Sequence, residues 1–320
     1  MTGRKSLVAT ATSGSVVAIL VATIAVVSSG YEAKRLDLSD ASVWVANSAR
    51  QVIGRANTEV RALDTVVESA GTDIDVVQDG SNVLLVDATN SRVDIVDPAN
   101  AEVVESVPLP PESPELFLAG DNVVIHSTTV GAVWIVPIDE LADFDAEQEP
   151  SLSFGADSVA SITPEGILFV YSQETDTVFR VDTASADTAA QTTTDVVFGS
   201  AGVEIGITSV ADRWVLLDTT KRMISIEGTA VDLGDQLPDA SGGVLQSASD
   251  DGDRVLVSYN GGLLSVPLRG GAASDLATGV EGIAVAPLVS AGCTYAAWST
   301  GIAWLTPLDS SSPRMGRAWC

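Results

Sequence analysis

One unit of turn, strand, turn and strand recurs along this chain, and such a recurrence restricts the fold more than any motif. It reads QDGSNVLLVDATNSRVDIVD from Gln78, AGDNVVIHSTTVGAVWIVPI from Ala119 and PEGILFVYSQETDTVFRVD from Pro164. It returns as ADRWVLLDTTKRMISIE from Ala211, DGDRVLVSYNGGLLSVPL from Asp251 and AGCTYAAWSTGIAWLTPL from Ala291. An earlier copy, SDASVWVANSARQVIGRAN, starts at Ser39. One turn residue per copy gives Asp40, Gly80, Gly120, Gly166, Asp212, Gly252 and Gly292, in steps of 40, 40, 46, 46, 40 and 40.

Short Val- and Ile-rich segments flank these pairs. Ile74–Val77, Leu116–Ala119, Val159–Ile162, Ile205–Thr208 and Ile283–Ala286 precede the turns, and Val103–Leu109 and Thr229–Leu233 follow the pairs. Apolar runs bounded by Gly, Asp, Asn and Ser are the strand-and-hairpin signature. Four strands in roughly 40–45 residues describe a propeller blade. The fold class is therefore all-β, and the expectation for residues 36–320 is a seven-bladed β-propeller of four-stranded blades. Tandem sandwich domains would need a period of about 100 residues, which is absent.

Two departures account for the longer steps. DELADFDAEQE, between Ile138 and Pro150, predicts one or two exposed helical turns. Thr183–Thr194 is an Ala/Thr-rich connection. The last unit ends in DSSSPRMGRAWC, a poor outer strand with Pro313 in its middle. An open ring leaves a sticky edge, so Arg35–Ser39 is expected to pair into the last blade unless the chain is a piece of something longer.

Residues 1–35 form a separate region. Arg4 and Lys5 precede an uncharged stretch from Ser6 to Tyr31 with an apolar centre at Val16–Val27. A basic tip before an apolar run is an export signal, and the stretch is long enough, at about 20 residues, to span a bilayer as a helix. Ser28-Ser29-Gly30 would suit a signal peptidase, but A-x-A spacing is missing, so an uncleaved anchor with a cytoplasmic tip is expected. Either outcome makes the rest extracytoplasmic: a single-pass protein of the cell membrane, or a secreted one if the segment is cleaved.

With 16 basic residues against 43 acidic ones the net charge is −27, and beyond residue 35 the only Lys is Lys221. Such a surface repels phosphate backbones, which excludes nucleic acid as a partner. With 46% hydrophobic residues the chain has a core to bury and is no disordered tail.

The chemical inventory is thin. One His (His126) and two Cys exclude most zinc sites, and no G-x-S-x-G, Walker or dinucleotide fingerprint occurs. No catalytic, cofactor-binding or metal-binding residue is assigned, and no cofactor is implied. His126 reads as a satisfied or exposed strand residue. Asp250-Asp251-Gly252-Asp253 looks like a cation loop, yet it occupies the repeat's own turn position, where Asp-Gly is expected from turn geometry. Asp73, Asp75, Glu115, Asp157, Glu204 and Glu281 lie on or beside the innermost strands, where a pair near the axis would suit a glycosidase. Trp44, Trp134, Trp214, Trp298 and Trp304 sit on repeat strands and are expected between blades. Cys293 and Cys320 are disulfide candidates that would staple the last blade in an oxidising compartment.

The stretches Val43–Thr65, Asp79–Asn100 and Gly292–Trp304 resemble the N-terminal propeller-like region of large actinobacterial surface proteins. Those proteins carry a membrane segment, this region, and then fibronectin type III or immunoglobulin-like domains. The resemblance spans almost the whole chain and implies the fold and a surface location. It transfers no functional residue, and the downstream domains are missing here. The expected function is a membrane-anchored, extracytoplasmic interaction or structural module, bound to the membrane through its N-terminal helix and to an envelope protein or polysaccharide. The alternative is a polysaccharide-acting enzyme or carbohydrate-binding module using channel acids.

Overall fold

A computed structural model describes residues 43–57, 62–111, 114–185, 192–196, 204–238, 242–290, 293–300 and 303–307. The chain divides into two units, Met1–Ala41 and Ser42–Cys320. The first, with the expected anchor and the Arg35–Ser39 strand, lies outside the described residues, as do Asp40, Gly292 and the stretch from Leu308 to Cys320. Among the described residues no helix is long and apolar enough to cross a membrane.

The second unit is a series of antiparallel meanders. Sheet 1 holds Val43–Asn47 (β1), Val52–Asn57 (β2) and Ala62–Glu68 (β3). Sheet 2 holds Ile74–Asp79 (β4), Asn82–Asp87 (β5), Arg92–Asp97 (β6) and Glu102–Pro108 (β7). Sheet 3 comprises Glu115–Ala119 (β8), Asn122–Ser127 (β9), Ala132–Pro137 (β10) and Leu152–Ser153 (β11). Val159–Ile162 (β12), Ile167–Ser172 (β13), Thr177–Asp182 (β14) and Thr192–Asp195 (β15) make sheet 4. Ile205–Val210 (β16), Arg213–Asp218 (β17), Met223–Ile226 (β18) and Thr229–Asp232 (β19) make sheet 5. Sheet 6 is Val244–Leu245 (β20), Arg254–Tyr259 (β21), Gly261–Pro267 (β22) and Ser274–Val280 (β23). Sheet 7 is Leu288–Ser290 (β24), Cys293–Ala297 (β25) and Ala303–Pro307 (β26). Five sheets are thus four-stranded, and the first and last show three strands among the described residues.

The sheets stack through their second strands. Side chains alternate between the two faces of a strand, and here both faces are buried. On β5, Val83 and Leu85 join a core with Trp44 and Ile53 of sheet 1, while Leu84 faces a core with Val123 and Ile125 of sheet 3. On β9, Val124 turns the other way, to Leu168 and Val170 of sheet 4. Phe169 and Tyr171 of β13 meet Trp214 and Leu216 of β17. Val215 and Leu217 meet Val255 and Val257 of β21, and Leu256 faces Ala296 and Trp298 of sheet 7. Six cores therefore join seven consecutive sheets, and the uninterrupted apolar runs VLL, VVI, LFVY and WVLL are what two-sided burial requires.

The rule stops at the two outer faces. Val43 and Val45 of β1 point away from Trp44 and are 47% and 41% exposed. At the other end Ile283, Val285, Leu288 and Tyr295 are exposed, the last two being cross-strand partners.

A second device recurs at the turn after each second strand. Asn47, Asp87, Ser172 and Asp218 accept, through their side chains, the backbone N–H three residues on, from Arg50, Asn90, Thr175 and Lys221. The residue after that is left-handed: Gln51, Ser91, Asp176 and Arg222, with Gly131 at the same place after Ser127. Such side-chain turns compete with ladder bonds and end the strand.

Three expectations need correction. The insertion after Ile138 is a 3-10 helix, Ile138–Asp143, but not an exposed one: Leu141 and Phe144 are buried in the core between sheets 2 and 3, and Phe144 packs edge-on to Trp134 at 6.2 Å. Its acids stay outside while its two large apolar side chains find the gap beside the two-residue β11. The innermost strand of sheet 7 is Leu288–Ser290, whereas Ile283–Ala286 contributes only the bridge of Ala284 to Trp298. In sheet 5 the left-handed first turn residue is Ala211, not Asp212.

Gly131 offers a test of the repeated turn. At φ 67° a Cβ there would lie 1.8 Å from the Gly155 carbonyl oxygen, whereas one on Gly80 meets open space. Gly131→Ala should destabilise by about 2–4 kcal/mol and Gly80→Ala by only about 1, read by denaturant unfolding.

Candidate functional site

Polar residues between the sheets form the most elaborate chemistry among the described residues. Glu115 begins β8 and stands directly across from His126 on β9. The Glu115 carboxylate lies 3.3 Å from His126 Nδ1, and His126 Nε2 lies 2.9 Å from Ser158 Oγ, just before β12 in the next sheet. A carboxylate only accepts, so the ring proton sits on Nδ1 and Nε2 accepts from the serine hydroxyl. That order of groups is the nucleophile, base and orienting acid of a serine hydrolase. Burial decides otherwise. His126 and Ser158 both have no exposed surface, so no substrate carbonyl reaches the hydroxyl. The relay fastens sheet 3 to sheet 4, helped by Asn122 Nδ2 donating to the Thr183 carbonyl. His126 is thus the satisfied strand histidine expected, and its partner Ser158 is a residue that sequence reading missed. Only the pairing of a lone His with an acid at the head of the previous strand hints at it.

Other joints use the same means. The Trp44 amide donates to Gln78 Oε1 between sheets 1 and 2. Ser249 exchanges backbone bonds with Ser209 and Ala211 across a parallel bridge between sheets 5 and 6. Trp298 Nε1 donates to the Tyr259 carbonyl, and Ser258 Oγ to that of Val285, between sheets 6 and 7. Trp44, Trp134, Trp214 and Trp298 each lie in a different inter-sheet core, which leaves none of these four as an open stacking platform. The side chain of Trp304 lies outside the described residues.

The acids expected near the axis are placed one or two to a sheet. Asp73 and Asp75 lie in sheet 2, Glu115 in sheet 3, Asp157 before β12, Glu204 before β16, and Glu281 after β23. The carbonyls of Asp73, Glu204 and Glu281 accept from Ala88, Thr219 and Thr300, all in or beside the turns that follow second strands. These acids therefore share the end of the sheets at which those turns lie. Glu115 is already engaged by His126. The Asp250–Asp253 loop borders a cavity of about 110 Å³ lined by Gln246, Asp251, Gly252, Asp253, Arg254, Leu256 and Val289. Asp253 pairs with Arg254 at 3.3 Å. Gln246 is buried and fully used, accepting from the Leu256 amide and donating to Ser249 Oγ. Among the described residues no group of three or more His, Cys, Asp or Glu side chains is placed to hold a metal ion. Cys293 is buried and disulfide-bonded, and Cys320 lies outside the described residues.

One buried hydroxyl carries a pH signature. Tyr171, between sheets 4 and 5, donates to Asp176 Oδ1. Burial, and then the neighbouring carboxylate of Asp176, push its ionisation well above the ordinary tyrosine range.

No family model matches this sequence, and no curated protein is similar to it. Solved structures are similar in fold. Virginiamycin B lyase from Staphylococcus aureus superposes with a TM-score of 0.61 at 11% identity, over 83% of this chain and 91% of that one. BamB from Moraxella catarrhalis gives 0.53 at 14% identity, over 82% and 81%. PorZ of Porphyromonas gingivalis, a surface component of the type-IX secretion system, gives 0.55 at 13% identity, over 87% of this chain and 37% of that one. These are propeller proteins of varied function, and the shared feature is the β-propeller fold.

Two outcomes are expected. Ser158→Ala leaves Nε2 without its donor and should cost about 1–3 kcal/mol of stability, while a fluorophosphonate probe should leave Ser158 of the native protein unlabelled. Because the folded state holds the Tyr171 proton more tightly, that stabilisation is complete below about pH 10, the unfolded value, and is lost as pH rises above it. Tyr171→Phe should flatten the alkaline limb of a stability-against-pH curve.

Proposed function

We propose that this chain is a seven-bladed propeller that acts as an extracytoplasmic interaction or structural module of the cell envelope, held to the membrane by its N-terminal segment. The observation that carries the reading is where the polar residues sit. Those best suited to chemistry, Glu115, His126, Ser158 and Gln246, bond to one another or to backbone in and between neighbouring sheets. What faces solvent is an acidic shell around a rigid stack. The blade count rests on seven successive sheets, each built from the same unit, with Arg35–Ser39 and the stretch after Leu308 supplying what the outer two lack. The membrane role rests on the basic tip and apolar run of residues 4–27. Propellers that serve at bacterial surfaces, such as PorZ, and the resemblance to actinobacterial surface proteins favour an envelope protein or polysaccharide as the partner.

A polysaccharide-binding or -cleaving role has one observation behind it, the acids gathered at one end of the sheets. It predicts that Asp75→Asn or Glu204→Gln abolishes glycan binding or cleavage. The interaction reading predicts that both variants are silent on glycans and that the exported part, used as bait, retains a defined envelope partner.

Fractionation tests the location. The full chain should sediment with membranes, and a chain lacking Thr2–Gly30 should stay soluble in the cytoplasm. Full-length protein found wholly in the cytoplasm would overturn the envelope reading, and processed protein found wholly in the medium would show a cleaved signal in place of an anchor.

A further inference from the structure

We infer that the chain after Pro307 covers the free face of sheet 7, locked there by a disulfide between Cys320 and Cys293. Three observations lead to it. First, the ten exposed large apolar side chains among the described residues are not scattered: Ile283, Val285, Leu288 and Tyr295 gather at sheet 7, and Val43, Val45 and Val66 at sheet 1. Patches of this kind mark contact surfaces. Secondly, alternation along β25 fixes which face Cys293 occupies. Ala296 turns toward sheet 6 and its core, so Cys293 and Tyr295 turn to the opposite face, with Leu288 beside Tyr295. Cys293 is disulfide-bonded on that face, and the sequence contains one other cysteine, Cys320.

Thirdly, the strand pairing sets the path. Pro307 at the end of β26 stands directly opposite Cys293. The chain therefore leaves the sheet beside Cys293 and must come back to it at Cys320. Thirteen residues going out and returning reach about 20 Å, roughly the length of a five- or six-residue strand. That excursion passes over Tyr295 and Leu288, and it carries Met315, Ala318 and Trp319, the last adjacent to the linked cysteine. A segment that would make a poor outer strand, with Pro313 and three serines, is well suited to a covalently held cover, which needs no ladder bonds. Reducing the bond would free the cover and bare the apolar face.

The inference needs no partner from outside the chain, so its test is independent of the envelope reading. Purified full-length protein would be oxidised, mapped by non-reducing peptide mass spectrometry and footprinted with hydroxyl radicals, with Val104 on β7 as the internal reference. A Cys293–Cys320 link is expected, with Tyr295 modified slowly. Tyr295 modification should rise severalfold on reduction, in Cys320→Ser, and in Trp319→Ser, which keeps the bond and removes only the covering ring. Two free thiols, a Cys293 link between two copies, or equal Tyr295 rates in wild type and Trp319→Ser would each overturn it.

Discussion

Everything in this structure hangs on the burial of one strand per sheet from both sides. Leu84 and Leu85, neighbours in sequence, belong to different cores, as do Phe169 and Leu168, and Leu217 and Leu216. A side chain of this size contributes about 1.5–3 kcal/mol when fully buried, and half of that gain on each strand exists only when the next sheet is in place. No sheet has a core of its own. Stability is a sum over joints, as in other repeat proteins, and the outer faces of the first and last sheets, where no following joint is described, are where the apolar surface shows.

The polar groups follow the same plan. Between sheets 3 and 4 the chain places a carboxylate, an imidazole and a hydroxyl in an order that elsewhere performs acyl transfer, and uses them as a fastening. What separates the two uses is access, since the distances of 3.3 and 2.9 Å suit either. Buried polar groups that are fully satisfied add specificity to packing that apolar contacts alone would leave free to slide. The lone histidine therefore belongs to the architecture, and function is left to the surface and the ends.

Much of the fold was legible because its determinants are local. The apolar runs VLL, VVI and LFVY and the Asp and Gly between them specify strands, turns and period directly, and most flanking strands fall where alternation puts them. The errors came where a tertiary contact overrode a local signal. Leu141 and Phe144 sit among acids, and only the gap left by a short β11 explains their burial. Ile283–Ala286 has the composition of an innermost strand, but Pro287 and the pairing of Leu288 with Tyr295 move the ladder four residues on. A better marker of register was present and unread: Asn47, Asp87, Ser127, Ser172 and Asp218, each followed four residues later by a left-handed residue. The candidate site was less legible, because Ser158 meets His126 across a joint between two repeats.

The meander within each sheet has a kinetic consequence. Strands adjacent in space are adjacent in sequence throughout, so closing any ladder requires only a short loop, and loop-closure entropy stays small. A sheet emerging behind its predecessor finds half of its burial already waiting on the preceding face. A chain delivered from its N-terminus can thus crystallise onto its own growing edge, one layer at a time, without waiting for its far end. The exposed surface at any moment is one face of one sheet, the smallest target that this architecture can offer to aggregation during synthesis or export.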